Sequence, residues 1–435
     1  MIIMVERSFR ILRPAAAVAT LLLAAACGGG SSDKSSGDGT PGPATFTYWT
    51  TSWTPDQISQ IDADFAKAHP GLHSKGQFIA SADQYLPKVI SAIKSNTQPT
   101  VLLTQNASDL PEIATSGKLI PLDGDLKQQT DGLYPGIKDA LFYKGKQLGF
   151  ARSGVGDIVL FYNKKDFKDA GIAKPPATWA ELVEDAKKLS DPGKKRYGYY
   201  VPLGEAEWIT FAWMPLLRAN GGDMLTQDGT KTAFNSPQGV KALQTWLDLM
   251  SAKAAPTTSF AQAGSFDGAP AFASHTVSMM ANGQWAVDTF KKAGIDFGVA
   301  PLPRGDAGPS TSVGMEVAAL LKTSKAQERA GLEFIKYLAT PQVGAHLAAA
   351  NGGLPSAPDQ LQQPELKEHI AKDPYYQTFA DGLPSGKGRP MTPAYTAVSE
   401  ALYTEINKAL RGQETAQQAL DNAARKADAA LKEQG

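Results

Sequence analysis

The 435-residue chain has a single cysteine, Cys27, so no internal disulfide can hold the fold and burial must do so. It has no excess of charge. The 43 Lys and Arg stand against 43 Asp and Glu, which argues against nucleic acid as a partner. The five histidines, His69, His73, His275, His346 and His369, lack zinc spacing; His69 and His73 lie four apart with no third ligand evident. Neither a metal nor another cofactor is therefore expected. A Gly-x-Ser-x-Gly elbow and a P-loop are both missing, which weighs against two common enzyme chemistries. Beyond the N-terminus no run approaches the roughly 20 apolar residues of a membrane-spanning helix. No repeat of fixed period is present.

What is there begins with an address. Arg7, Arg10 and Arg13 precede an uncharged Ala- and Leu-rich run from Pro14 to Ala26 that is too short to span a bilayer and ends in small residues. Residues 1–26 thus read as a secretory signal peptide. The segment Leu23-Ala24-Ala25-Ala26-Cys27-Gly28 resembles the lipobox of bacterial lipoproteins, with Ala24 standing where leucine is usual. That resemblance implies acylation of Cys27 and a lipid anchor on the extracellular face of the membrane, since multiple acyl chains hold a protein firmly. Residues 27–43, nearly all Gly, Ser, Asp, Thr and Pro, cannot offset the entropy of ordering and read as a flexible tether. Loss of residues 1–26 takes away three Arg and one Glu, leaving 40 Lys and Arg against 42 Asp and Glu, a net −2.

The remaining 390 or so residues suffice for two domains. Ala44-Thr-Phe46-Thr-Tyr48-Trp49 alternates as a strand, and Pro55 to Ala68 carries Ile58, Ile61 and Phe65 on one helical face. Another strand is expected at Thr100–Leu103, leading into a helix that stops at Gly117. Residues 145–150 and 158–162 suggest a hairpin-like pair. Helix starts are marked by Thr178-Trp-Ala-Glu181 and Ser324-Lys-Ala-Gln327, which read as capping boxes, and by Ser236-Pro237 and Thr340-Pro341. The last forty residues read as helical. Strands and helices intermixed throughout indicate an α/β architecture.

The order of several short motifs resembles the family of extracellular sugar-binding proteins (family 1), relatives of maltose-binding protein. The strongest stretch is Tyr143-Lys-Gly-Lys-Gln-Leu-Gly149-Phe-Ala, Leu160-Phe-Tyr162-Asn163-Lys, Phe167-Lys-Asp-Ala170-Gly171 and Pro175-Pro176-Ala-Thr178-Trp179-Ala-Glu181-Leu. Asn220-Gly221-Gly222, Phe234-Asn-Ser-Pro-Gln-Gly239-Val, Met280-Ala-Asn-Gly283-Gln-Trp285 and Asn351-Gly-Gly353-Leu-Pro355 follow in the same order. The resemblance implies a two-lobed periplasmic-binding-protein type II fold with a hinged interlobe cleft. By position, the chain should cross near Gly154–Asp157, Gly308–Ser312 and Leu354–Ala357. That assigns 44–155 with 311–355 to the first lobe and 156–310 with 356–435 to the second.

A carbohydrate site needs aromatic plates for sugar faces and carboxylates, amides or Arg for hydroxyls. Of seven tryptophans, Trp285 is the leading candidate, because Gly283-Gln-Trp285 matches the family's Gly-x-Trp motif. Trp53, Trp208 and Tyr395 follow, with one of Trp208 and Trp213 expected in the core; Trp179 and Tyr162 read as packing. Gln105, Asn106 and Ser108 follow a strand end. Glu316 sits in an apolar run and needs a partner if buried. Arg152, Asp83, Glu205 and Arg389 complete the polar candidates. The expected protein is non-catalytic and monomeric, binds a mono- or oligosaccharide, and delivers it to the permease of an ABC importer. The alternatives are the same fold binding glycerol phosphate or another anionic polyol, which would need Arg152 or Arg389 aimed into the cleft, and a secreted glycosidase.

Overall fold

A computed structural model describes residues 42–434 except 81–83, 153–154, 205 and 261–266, all within one compact unit, Gly42–Gly435. The signal peptide, Cys27 and most of the tether lie outside the described residues. None of the described helices is long and apolar enough to cross a membrane.

Fourteen strands follow in chain order: β1 (Ala44–Thr50), β2 (Leu72–Phe78), β3 (Val101–Thr104), β4 (Leu119–Ile120), β5 (Phe142–Tyr143), β6 (Lys146–Gln147), β7 (Phe150–Ala151), β8 (Gly156–Asn163), β9 (Tyr197–Tyr199), β10 (Val277–Gly283), β11 (Phe297–Ala300), β12 (Thr311–Gly314), β13 (Val317–Leu321) and β14 (Gly386–Lys387). They form two α/β halves. One sheet has the order β2-β1-β3-β13-β4, with β7 also on β13; the other runs β14-β12-β8-β10-β9, with β11 also on β8. In the first, β1 is parallel to β2 and β3, while β13 returns antiparallel to β3.

Each sheet is fixed by alternation. Phe46 and Tyr48 of β1 point inward against Phe65 and Phe334, with the Tyr48 and Phe334 rings stacked at 5.0 Å. Those partners come from the helices Pro55–Ala68 and Lys325–Leu338. In β8 both faces are apolar, as in a strand buried on two sides. Ile158 and Leu160 join the cluster that holds Trp213, Trp246 and Leu402, whereas Val159 and Phe161 join Phe272, Phe290 and Phe297.

Caps at Ser236, Ser324 and Thr340 form as expected, and the Ser324–Gln327 box is complete. At Thr178 the box differs. The hydroxyl accepts from the Glu181 amide, but the Glu181 carboxylate reaches one residue further, to the amide of Ala177.

The expected hairpin of 145–150 with 158–162 does not form. Phe150–Ala151 pairs with Val317–Ala318 in the first sheet, and β8 pairs with β10 in the second. The two runs are adjacent in sequence because the chain changes sheet between them; the actual hairpin is the short β5–β6 pair. The return passage also falls later than Gly308–Ser312. Thr311–Gly314 extends the second sheet through Val313 opposite Asp157 and Gly314 opposite Gly156, so only Met315 and Glu316 separate the sheets there. A third link is the antiparallel bridge of Val155 with Leu354.

One buried polar group stands out beside these passages. Asp157 of β8 is fully buried, and its carboxyl finds no hydrogen-bond partner on any other described residue. The end of the helix Tyr376–Gly382 presses on it: a Cβ added to Gly382 would lie 2.3 Å from Oδ2. Burial pushes this carboxyl well above the usual carboxylate range, so it is held neutral. The folded chain then keeps a proton that the unfolded chain releases near pH 4, and stability falls as pH rises from there toward the raised folded value. Asp157→Asn keeps the shape and removes the titration. In urea melts from pH 4 to 7.5, the variant is expected to gain on the wild type as pH rises; a gap that stays constant with pH would contradict this assignment.

Candidate functional site

The two shortest passages between the sheets carry one charged residue each, Arg152 after β7 and Glu316 before β13. Their backbones are joined, the Arg152 amide donating to the Glu316 carbonyl at 3.1 Å. Their side chains form an ion pair in which Arg152 is 0% exposed and Glu316 14%. The guanidinium also lies over the Trp53 ring, 4.3 Å from its centre. Burial pushes the Glu316 carboxyl up; Arg152 and a hydrogen bond from Ser52 hold it down. Ser52 in turn accepts from Gln105 Nε2 at 3.3 Å. This line of groups, Gln105–Ser52–Glu316–Arg152, forms the first lobe's edge of the interlobe base.

The second lobe contributes a carboxylate held from three sides. Glu207 sits in the first turn of the helix Ala206–Ala219, where the helix N-terminus favours negative charge. It accepts from Arg389 Nε at 2.7 Å, from the Tyr395 hydroxyl at 2.6 Å and from Ser399. Arg389 lies over the Phe211 ring at 4.3 Å. A Cβ placed on Gly314 would stand 3.9 Å from both Arg389 Nη1 and the Phe211 ring, so this cluster abuts the return passage. Burial and the nearby Glu207 carboxylate push the Tyr395 phenol well above its ordinary value, which keeps it a donor.

Trp285 is the plate of the site. It is 38% exposed, one of two large hydrophobic side chains so exposed among the described residues. Four features hold it. Its Nε1 donates to Asp267 at 2.7 Å, and its ring meets Trp208 edge-on at 6.1 Å. The preceding Gln284 donates to the carbonyl of Val155 at 3.0 Å, in the first passage. The indole also lies against Gly283 and Gly156, where an added Cβ would come within 2.1 and 2.8 Å of the ring. Glycine at both positions is what lets the ring lie down on the strands. That is a close-approach requirement.

Other candidates fall differently. Trp53 is buried under Arg152 and beside Tyr48, and Tyr395 is buried with its hydroxyl on Glu207, so neither offers a free ring face. Trp208 is buried and supports Trp285, while Trp213 is wholly core. Gln105 is exposed, Asn106 is half-buried with its amide on the Thr104 hydroxyl at 3.2 Å, and Ser108 is buried. Arg152 points at Glu316 and not into open space. Asp83, Glu205 and Cys27 lie outside the described residues. No group of three or more metal-binding side chains occurs among the described residues.

Four contributors were not singled out from sequence: Glu207, Phe211, Asp109 and Asp267. Glu207 and Phe211 are four apart and so share a helix face, a signal that was present. Asp109 accepts from Thr104 Oγ1 at 3.0 Å. Burial pushes its carboxyl up to about 6, with Thr104 and Arg389 holding it down and Glu112 and Glu207 pushing it up. This first-lobe carboxyl therefore feels the Arg389–Glu207 pair of the second lobe.

Two α/β halves joined by short passages, with an aromatic plate and paired charges where they meet, define a two-lobed binding protein. The chain belongs to the bacterial extracellular solute-binding protein family, whose profile matches residues 60–376. It is 26% identical over 402 residues to the sn-glycerol-3-phosphate-binding periplasmic protein of Brucella abortus, covering 86% of this chain and 90% of that one. It is 27% identical over 312 residues to a maltotriose-binding protein of Pyrococcus abyssi, covering 69% and 63%. The cyclic alpha-maltosyl-1,6-maltose binding protein of Arthrobacter globiformis superposes with a TM-score of 0.81 at 25% identity, covering 90% of this chain and all of that one.

The Arg152–Glu316 pair yields a stability prediction. Glu316→Gln leaves a buried guanidinium uncompensated and is expected to cost about 3–5 kcal/mol in denaturant unfolding. A loss below about 1 kcal/mol, the range of solvent-screened pairs, would contradict the buried clamp.

Proposed function

We propose that this protein captures an uncharged carbohydrate between its lobes, without catalysis, and delivers it to the membrane permease of an ABC importer. The observation that carries the reading is the exposed Trp285 indole, fixed on every side but one, beside cations that are already neutralised. A fixed indole suits the apolar face of a sugar ring, and Glu207, Gln105 and Asp109 suit its hydroxyls. A phosphate needs an uncompensated cation. Arg152 is committed to Glu316 and Arg389 to Glu207, while Asp109 and Asp267 add negative charge. The balance of these six groups is negative, which disfavours glycerol phosphate. Relatives of both ligand types exist, and several structural neighbours are maltose- or maltodextrin-binding proteins.

Ligand contact with both lobes favours their approach, because a ligand shifts a conformational equilibrium by its differential affinity. The lobe boundaries remain those drawn from the sequence, with the return passage at Met315–Glu316. Acylation at Cys27 would hold the body near the permease through the 27–43 tether.

Calorimetry against saccharides and glycerol 3-phosphate tests the ligand class. A saccharide is expected to bind and to be recovered unaltered, and Trp285→Ala to weaken it by about 1–3 kcal/mol; unchanged affinity in the variant would remove Trp285 from the site. Cys27→Ser is expected to move the protein from the membrane fraction to the medium, and its retention on membranes would contradict the anchor.

A further inference from the structure

Arg389 has two sides. One faces Glu207, Phe211 and Gly314; the other lines a separate cavity of about 360 Å³, in the size range of small-ligand sites. Asp139 comes to this cavity from the first lobe, and Asp223, Gln227, Lys387 and Met391 from the second. Its floor is the tight contact between the helix Pro135–Asp139 and the Gly386–Gly388 segment. A Cβ on Gly136 would lie 1.9 Å from the Gly386 carbonyl, and one on Gly388 would lie 2.7 Å from Ala140 Cβ. Anything resting on this floor touches both lobes.

The lining is polar and balanced, with no aromatic ring. Arg218 is spent on the scaffold, donating to Asp223 at 3.1 Å and to the carbonyls of Lys387 and Gly388 at 3.1 and 2.9 Å. Lys387 stands 3.5 Å from Asp223, and Arg389 is paired with Glu207. Asp139 has no ion pair among the described residues, and with Gln227 it leaves exposed hydrogen-bonding groups at the mouth. A balanced set of donors and acceptors without a ring suits hydroxyls, not a phosphate or an apolar group.

Resting on the carbohydrate reading above, we infer that the ligand is a chain of sugar units, not a single ring, and that its distal end passes Arg389 into this cavity. Trp285 anchors one unit by stacking. The cavity adds hydrogen bonds alone, so the gain from length is moderate, on the order of tenfold for one or two neutral hydrogen bonds.

The test is calorimetry on the purified chain with glucose, maltose, maltotriose and maltotetraose, the β-1,4-linked series, and glycerol 3-phosphate. Within a series that binds, the tetrasaccharide is expected to bind about tenfold more tightly than the shortest ligand bound. Asp139→Ala and, independently, Gln227→Ala should remove most of that gain while leaving the shortest ligand's affinity unchanged. Both residues are exposed, so folding should persist. Affinity independent of length, or variants that weaken short and long ligands equally, would overturn the inference while sparing the carbohydrate reading. Binding of glycerol 3-phosphate with no saccharide, or no binding by any probe, would overturn both.

Discussion

A two-lobed binding protein must be loose enough to close and stiff enough to close in one way. In this chain the two demands meet in the ion pair of Arg152 and Glu316. Each residue belongs to a different passage between the sheets, so their pairing ties the passages into one unit at the base of the cleft. Burial makes the tie directional: breaking it would leave a desolvated charge, whereas an exposed pair would yield easily to water. Trp53 closes one face of the guanidinium, and Ser52 with Gln105 extends the polar line outward.

The chemistry of the cleft follows from that tie. With Arg152 bound to Glu316, the first lobe presents carboxyl, amide and hydroxyl groups there instead of a free cation. The second lobe repeats the arrangement with Arg389 and Glu207, reinforced by Tyr395 and Ser399. Both arginines thus organise acceptors in place of attracting anions. The exposed indole of Trp285 sits between these two clusters and is fastened to the first passage through Gln284 and Val155. The aromatic plate and the passages are therefore linked mechanically as well as by position.

Much of this was legible in the amino-acid order. Alternation in β1 and β8, the Ser and Thr caps, and the Gly283-Gln-Trp285 turn are local signals, and local signals survive in one dimension. The need of Glu316 for a partner was also visible, since a charge in an apolar run is costly to bury. Its partner was not, because Arg152 is 164 positions away and no periodicity connects them. The same distance hid the Glu207 cluster, whose donors lie 182 to 192 residues downstream. Trp53 and Tyr395 were read as plates because their residue type and position fitted; what they lack is exposure, a property set by neighbours from other elements. The expected hairpin failed for a related reason, since adjacency in sequence does not reveal that the chain has moved to another sheet.

The central claim is that two lobes close on an intact, uncharged solute. Small-angle X-ray scattering of the purified chain, with and without a saturating concentration of its tightest-binding saccharide, tests this directly when the same sample is then checked chromatographically. The account predicts a smaller radius of gyration with ligand present and a saccharide recovered whole. An unchanged radius at saturation, or a cleaved saccharide, would contradict it.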